Sequence, residues 1–292
     1  MDPSIHETAR AKINLALHVT GRRADGYHLL DSLVTFAEAG DGLRFASSAA
    51  DRLTLGGRFG ALLDAEGDNL VVKARDLLRL ALQELGHAAP PVHIHLDKDL
   101  PIAAGIGGGS ADAAATLRGL QRFWNATLPD EALAVLALKL GADVPMCLSS
   151  RPLIARGIGE ALTPVALPAF SMVLVNPLIG VSTPEIFRRL ERRDNAPLPP
   201  LPPSGDASVW LDYLKDQRND LEPPARSLVS VIGQLITALE ESGARLARMS
   251  GSGATCFGLY AAERDAIAAS EQLAARFPEA YIKATRTLPG DA

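Results

Sequence analysis

LPIAAGIGGGSADAAA (100–115) is the stretch from which the rest of this chain is read. Glycines at 105, 107, 108 and 109 stand between an alternating segment, VHIHL (92–96), and an alanine-rich run that extends as a helix to about residue 123. Without a Cβ, glycine reaches backbone conformations closed to other residues and lets the main chain approach a ligand closely. A helix that starts directly behind such a loop turns its unpaired N–H groups and its positive dipole end toward whatever the loop wraps. The combination is an anion cradle suited to phosphates. Two common glycine fingerprints do not fit it. The dinucleotide-binding pattern wants a third glycine where Ser110 stands, and the P-loop wants a lysine–hydroxyl pair that is absent. A dehydrogenase would also need a ribose-binding acid after the next strand, whereas here an alanine helix runs on to Trp124. The plain alternative is a flexible loop with Ser110 as an ordinary helix cap.

Upstream, residues 10–20 alternate, with Ala11, Ile13, Leu15, Leu17 and Val19 on one parity and Arg10, Lys12, Asn14, His18 and Thr20 on the other. Period two predicts a strand with one buried face and with Lys12 and Asn14 side by side on the polar face. The turn GRRADGYH (21–28) follows, with Asp25-Gly26 as its turn signal. Strands are expected at 29–37, 43–46, 52–55 and 92–96, and a helix at 69–85, where Leu70, Ala74, Leu77, Leu78, Ala81, Leu82 and Leu85 recur at helical spacing.

Downstream, a helix at 130–140 is broken by GADVP (141–145), and strands are expected at 153–156 and 171–175. Thr183-Pro184 opens a helix, since proline is tolerated at the first helical position. NAPLPPLPPSG (195–205) predicts an extended, solvated loop. Helices at 207–215 and 225–241, a strand–turn–strand unit at 245–260 and a final helix and strand complete the chain. Strands and helices mix without a regular βαβ alternation, which favours α+β over a doubly wound sheet.

The 292 residues are 47% hydrophobic and 22% charged, the balance of a soluble globular protein. A net charge of −5 with no basic stripe argues against nucleic acid as a partner. No segment has the length of a membrane span or the apolar core of a secretion signal. The two cysteines, Cys147 and Cys256, form no disulfide framework and suit a reducing cytoplasm. His6, His18, His87, His93 and His95 show no metal-ligand spacing; His93 and His95 share one strand face and are expected to be exposed.

Three further segments are ambiguous singly. Asp143 in LGADVP (140–145) fits a turn or capping aspartate as well as a catalytic one. Lys12 fits a solvated strand lysine. RMSGSGAT (248–255) fits a phosphate-facing turn or a plain hairpin.

In their order along the chain, the lysine of the first strand, the PxxxGxGGGSA loop and the GSG turn resemble the GHMP kinase superfamily, and the likeness spans residues 11–254. AKINLALHVTGRRADGYHLLDSL (11–33), GDNLVVKA (67–74), LGADVP, ARGIGEALTPV (155–165) and STPEIF (182–187) resemble the branch of that superfamily that phosphorylates the 2-hydroxyl of a cytidine-diphosphate-bearing polyol in the non-mevalonate isoprenoid route. Ile106 and Ile158 stand where similar aliphatics are usual.

The resemblance implies an α+β, two-lobed GHMP-kinase-like fold (residues 1–155 and 156–292) with the active site in the cleft between the lobes. It gives Asp143 the proton of the attacking hydroxyl and places Lys12 beside it. It implies that ATP is held by Pro101, Ile102, Ala103, Ala104, Gly105, Ile106, Gly107, Gly108, Gly109, Ser110 and Ala111, with Asn69 and Lys98 near the adenine. Mg²⁺ would accompany ATP, with Ser110 offering its hydroxyl to phosphate or metal and the other ligands unassigned. Tyr27 and His28 would lie against the cytosine, Phe187 and Ile158 would line its pocket, and Asn14 would hydrogen-bond the acceptor. The implied enzyme is cytoplasmic and acts on small molecules, with no obligate protein partner.

The residues alone leave other readings open. Asn69 fits a helix cap, Lys98 a solvated loop lysine, Tyr27 a hairpin-packed ring and Phe187 a core ring. Mevalonate, homoserine or a sugar would serve the same fold as acceptor, but none of them would need the Tyr27-His28 pair.

Overall fold

The computed structural model describes residues 5–65, 68–203 and 205–290. Gly67 of the 67–74 motif and Ser204 of the proline-rich loop lie outside the described residues. The elements in chain order are strands β1 (Ile5–Arg22), β2 (His28–Ser47) and β3 (Arg52–Gly56), helix α1 (Leu70–Glu84), strand β4 (Val92–Asp97), and helices α2 (Gly108–Phe123), α3 (Asp130–Leu140) and α4 (Val144–Ser149). Strands β5 (Leu153–Gly157), β6 (Ala161–Pro164) and β7 (Ser171–Asn176) and helices α5 (Thr183–Arg188), α6 (Ala207–Lys215), α7 (Glu222–Leu228) and α8 (Val231–Glu241) follow. Strands β8 (Leu246–Met249) and β9 (Cys256–Tyr260), helix α9 (Glu263–Arg276) and strand β10 (Tyr281–Arg286) end the fold. The chain forms two compact units, one of Met1–Ala11, Gly40–Ile102 and Gly107–Ser150, the other of Lys12–Ala39, Ala103–Ile106 and Arg151–Ala292.

In the first unit, β4 pairs antiparallel with the end of β2 (Gly42↔Asp97 to Ser47↔Val92) and parallel with β3 (Arg52↔His93 to Gly56↔Asp97). Val92, Ile94 and Leu96 are buried, as the alternation of β4 requires. Helix α1 buries Val71, Ala74, Leu78 and Leu82, a stripe at helical spacing. Every residue of α2 from Ala111 to Leu117 is buried, and the alanines at 111 and 113–115 let the helix pack against both α1 and α4.

In the second unit, strands in the order β10-β7-β9-β8 form an antiparallel sheet. The core on this sheet includes Val173 and Val175 of β7, Leu235 and Leu239 of α8, Leu273 of α9, and Leu17 and Val19 of β1. The first part of β2 pairs with β5 (Leu30↔Gly157 to Val34↔Leu153), and β5 pairs with β6.

Several expectations need correcting. Residues 29–37 and 43–46 belong to one strand of 20 residues, β2. Between them, a Cβ on Gly40 would stand 2.5 Å from the Ala9 carbonyl oxygen, so glycine there permits close backbone approach within a continuous strand. The helix expected at 225–241 is two helices, divided where Val229 is extended at φ −130° and ψ 85°. The segment after Gly141 continues as the short helix α4, and β6 carries no alternation that would have announced it.

Strand β1 is buried on both faces from Ala11 to Val19, not on one. Its polar parity is covered by hydrogen-bonding groups: Asn14 Nδ2 donates to Ser32 Oγ at 2.8 Å, and His18 Nδ1 donates to the Ala196 carbonyl at 3.1 Å. Ala196 belongs to the proline-rich loop, which is tied down where solvation was expected. The Asn195 N–H donates to the Val19 carbonyl, the Leu198 N–H to the buried Asp31 carboxylate, and Tyr213 Oη to the Pro199 carbonyl. His93 and His95 are half-buried, not exposed, because the Thr54 hydroxyl of β3 lies 2.8 Å from His93 Nε2 and 2.7 Å from His95 Nδ1.

Candidate active site

Residues 103–106 of the glycine-rich loop are gripped by two distant parts of the second unit. The Lys12 N–H of β1 donates to the Ile106 carbonyl at 2.9 Å. From the GSG turn, Thr255 donates to the Ala104 carbonyl through both Oγ1 (2.6 Å) and N–H (3.2 Å), and Ser250 Oγ donates to the Gly105 carbonyl at 3.2 Å. Gly105 has φ +73°, and a Cβ there would come within 2.6 Å of the Gly253 oxygen and 2.7 Å of the Ser250 oxygen. Any side chain would push the loop and the turn apart. The Asn14 N–H donates to Ser250 Oγ at 3.1 Å, so the strand that carries Lys12 and Asn14 is fixed to the same turn.

Residues 107–111 belong to the first unit. Gly107 takes the left-handed conformation (φ +64°) as the N-cap of α2, with no side chain to satisfy the first N–H groups. Gly109 is exposed, and Gly107, Gly108 and Ser110 are half-exposed. Free N–H groups at the positive end of a 16-residue helix are what an oligophosphate needs.

Below this turn, a buried charge cluster replaces the solvated lysine that was one reading of Lys98. Lys98 is 2% exposed, and its Nζ lies 2.5 Å from Asp41 Oδ2 and 2.6 Å from Asp112 Oδ2. Asp41 Oδ1 also accepts the N–H groups of Asp99 and Leu100, both at 2.7 Å, which fixes the approach to the loop. A Cβ on Gly108 would stand 3.1 Å from Lys98 Nζ, so the ammonium lies directly beneath the start of α2. Two carboxyl groups facing one ammonium leave an excess negative charge in a dry site unless one of them keeps a proton. Asp112 keeps it: burial pushes its carboxyl up to about 8 against the opposing pull of Lys98.

Above the ordinary value of 3.8, the unfolded chain releases a proton that the folded chain retains until about 8. The stabilisation is therefore full below that ordinary value and is lost as pH rises toward the folded one. Asp112→Asn should flatten the fall in stability between about pH 5 and about pH 8, measured by urea unfolding. A variant whose stability falls as steeply as the parent's would contradict this assignment.

Asp143 occupies the N-cap position of α4, yet its side chain makes no capping hydrogen bond. The turn is held through the backbone, by Cys147 N–H to the Asp143 carbonyl and Val144 N–H to the Gly141 carbonyl. Asn69 is a helix cap: its Oδ1 accepts the Val71 N–H at 2.9 Å.

In the second unit, the 21–28 turn closes by Arg23 N–H to the Tyr27 carbonyl and Tyr27 N–H to Asp25 Oδ1. Tyr27 is 61% exposed, so it is not packed into the hairpin. His28 stacks on Phe187 with ring centroids 4.6 Å apart and planes at 24°. Phe187 is half-buried against the core and leaves part of its ring open. Ile158 is half-exposed in the β5–β6 turn, its N–H held by Glu160. Asn14 Oδ1 is buried without a partner among the described residues, an acceptor still available. No group of three or more acidic, histidine or cysteine side chains able to hold a metal occurs among the described residues.

The sequence pattern of the GHMP kinases N terminal domain matches residues 69–151, and that of the GHMP kinases C terminal domain matches residues 204–279. The 4-diphosphocytidyl-2-C-methyl-D-erythritol kinase of Rhizobium johnstonii is 62% identical over 98% of this chain and 94% of its own length. That of Agrobacterium fabrum is 58% identical over 97% and 96%. A crystal structure of 4-(cytidine 5'-diphospho)-2C-methyl-D-erythritol kinase superposes with a TM-score of 0.81 at 33% identity, covering 98% of this chain and 100% of that one. The chain belongs to the 4-diphosphocytidyl-2-C-methyl-D-erythritol kinase family of GHMP kinases.

Members of a wider set share only the fold: a homoserine kinase from Cytophaga hutchinsonii superposes with a TM-score of 0.70 at 18% identity. Ser250, Thr255 and Arg248 lie within the 248–255 segment but had no individual roles in the sequence, and Asn219 lies outside every motif. Asn219 Nδ2 donates to the carbonyls of Met249 and Gly251, both at 2.8 Å, and so shapes the GSG turn. The buried Arg248 guanidinium ties the carbonyls of Leu15, Leu214 and Gln217 together, and burial brings it down to about 10. The glycine cluster at 248–255 signalled the turn that holds Ser250 and Thr255, while nothing local marked Asn219.

Proposed function

We propose that this protein transfers the γ-phosphoryl group of ATP to the 2-hydroxyl of 4-diphosphocytidyl-2-C-methyl-D-erythritol, giving the 2-phosphate and ADP. The reaction belongs to the non-mevalonate route to isoprenoid precursors. The observation that carries the reading is 62% identity to a kinase of that name over 98% of the chain. The loop, turn and strand contacts made by Ala104, Gly105 and Ile106 agree with it. The two cysteines are buried in separate parts of the sequence and agree with a reducing cytoplasm.

Phosphoryl transfer needs positioning and charge stabilisation more than covalent help. The Pro101–Ala111 loop cups the phosphates, and Ser110 would offer its hydroxyl to them or to a Mg²⁺ accompanying ATP, which would supply neutralisation of the phosphate charge. Asp143 accepts the proton of the attacking hydroxyl, or orients that hydroxyl for a loose transition state. Lys12 lowers the hydroxyl's pKa and stabilises the oxygens of the transferring group. Asn69 and Lys98 support the adenine side by position, since their side chains are engaged in a helix cap and in the buried charge cluster. Tyr27 and Phe187 offer aromatic faces to the cytosine, a contact worth about 1–3 kcal/mol per base in single-strand binders. His28 reads the edge of the ring, Ile158 lines the pocket, and Asn14 Oδ1 accepts from an acceptor hydroxyl. The N-terminal 155 residues supply ATP binding and chemistry, and the remainder completes the acceptor site.

The test is ATP turnover on a panel of the cytidylylated methylerythritol, mevalonate and homoserine. Turnover of the first alone is expected. Comparable activity on homoserine would overturn the acceptor assignment while leaving the kinase fold in place.

A further inference from the structure

The run RRLERRD (188–194) holds four arginines, and three of them are neutralised locally. Arg188 and Arg189 each meet Glu185 at 2.7 Å, and Arg192 meets Asp194 at 3.0 Å. Arg193 has no carboxylate among the described residues, although it is more buried than those three. Its Nη2 donates to the Arg188 carbonyl at 3.1 Å, and its Nε is shielded from solvent with no acceptor. A half-buried guanidinium without a counter-charge is costly, and an anion arriving from solution would offset that cost.

The surroundings specify the anion. The positive charges of Arg22 and Arg193, second to burial itself, hold the His28 imidazole below its ordinary value. His28 is the ring stacked on Phe187, and its Nε2 is also buried without a partner among the described residues. Arg193 reaches the Arg188 carbonyl beside Phe187, the ring that stacks on His28, so an aromatic platform, a ring nitrogen without a partner among the described residues and a guanidinium lie together. A flat heterocycle tethered to a polyanion satisfies all three.

We propose that Arg193, assisted by Arg22, is a specificity-determining residue that reads the diphosphate of the acceptor. The inference rests on the acceptor assignment above and deepens it. Arg193 also braces the end of α5, so a purely structural role has to be separated from charge recognition.

The experiment is calorimetric binding of CDP, CMP and cytidine to the full chain, for the parent and for Arg193→Gln, Arg193→Lys and Arg22→Gln. The parent should bind CDP about tenfold or more tighter than cytidine, the worth of one charge-assisted contact, and CMP in between. Arg193→Gln should remove most of that preference while leaving cytidine affinity within about twofold. Arg193→Lys should retain part of it as a point charge, and Arg22→Gln should reduce it less than Arg193→Gln does. If Arg193→Gln does not fold, Arg193→Lys and the salt dependence of the parent's CDP preference, which should shrink as ionic strength rises, decide the matter. The proposal is overturned by an unchanged CDP-to-cytidine ratio in Arg193→Gln, by equal loss of both ligands, or by a parent without preference. Failure of the acceptor assignment is seen separately, as no turnover of the cytidylylated methylerythritol.

Discussion

Asp143→Ala is expected to lower kcat by about two to four powers of ten, the range for loss of a group that handles a proton in the transition state. Stability should change by no more than about 1 kcal/mol, because the side chain does not cap α4 and the turn is held through main-chain bonds from Val144 and Cys147. Lys12→Ala should cause a loss of the same order for a different reason. In the proposed role it removes the cation that would meet the developing charge on the transferring oxygens, and an ammonium of similar reach supplied as a small alkylamine should restore a fraction of the rate. Single-turnover kinetics beside thermal unfolding check both variants. Loss of turnover accompanied by a large drop in stability would reassign either residue to structure, and retention of more than about a tenth of parental kcat in Asp143→Ala would falsify its catalytic assignment.

Lys98→Met is expected to have the largest effect on stability, about 3–5 kcal/mol, because it strands the carboxyl groups of Asp41 and Asp112 in a site from which water is excluded. The cost arises from the partners left behind, not from the absence of the lysine as such. Removing one carboxyl as well, in Lys98→Met with Asp112→Leu, should therefore recover part of the loss even though it deletes more of the native cluster. Activity should suffer beyond the stability change, since Asp41 also fixes the Asp99 and Leu100 N–H groups at the entrance to the phosphate loop. The expected signature is a raised KM for ATP with a smaller change in kcat. A destabilisation below about 1 kcal/mol in the single variant, measured by urea unfolding, would mean that solvent reaches the cluster.

Much of the architecture was legible because it is written in nearest-neighbour patterns. The alternation of Val92, Ile94 and Leu96, the helical repeat through Ala74, Leu78 and Leu82 and the alanine run after Ser110 each specify an element without reference to the rest of the chain. The glycines at 105 and 107 were legible too, and the structure supplies their reasons: left-handed backbone at both, and at Gly105 a neighbouring turn too close for a Cβ. Failures came where a local signal has two readings. Residues 29–37 and 43–46 look like two strands and form one, with Gly40 between them a point of close strand approach. The proline-rich loop looks solvated and is bonded to Val19, His18 and Asp31.

Sequence by itself determined the α+β class, the glycine loop between β4 and α2 and, through motifs spread from residue 11 to residue 254, the kinase family. These depend on backbone propensity, periodicity and residue types at short spacing. Only the tertiary structure decided that Lys98 is consumed by Asp41 and Asp112, that Thr255 and Ser250 hold the loop carbonyls, and that Arg193 is the arginine of its run without a carboxylate among the described residues. A polar side chain takes its meaning from the partner it meets, and those partners lie 14 to 151 residues away along the chain for the Lys98–Asp112 and Thr255–Ala104 contacts. Burial then decides whether that meeting is worth a fraction of a kcal/mol or several.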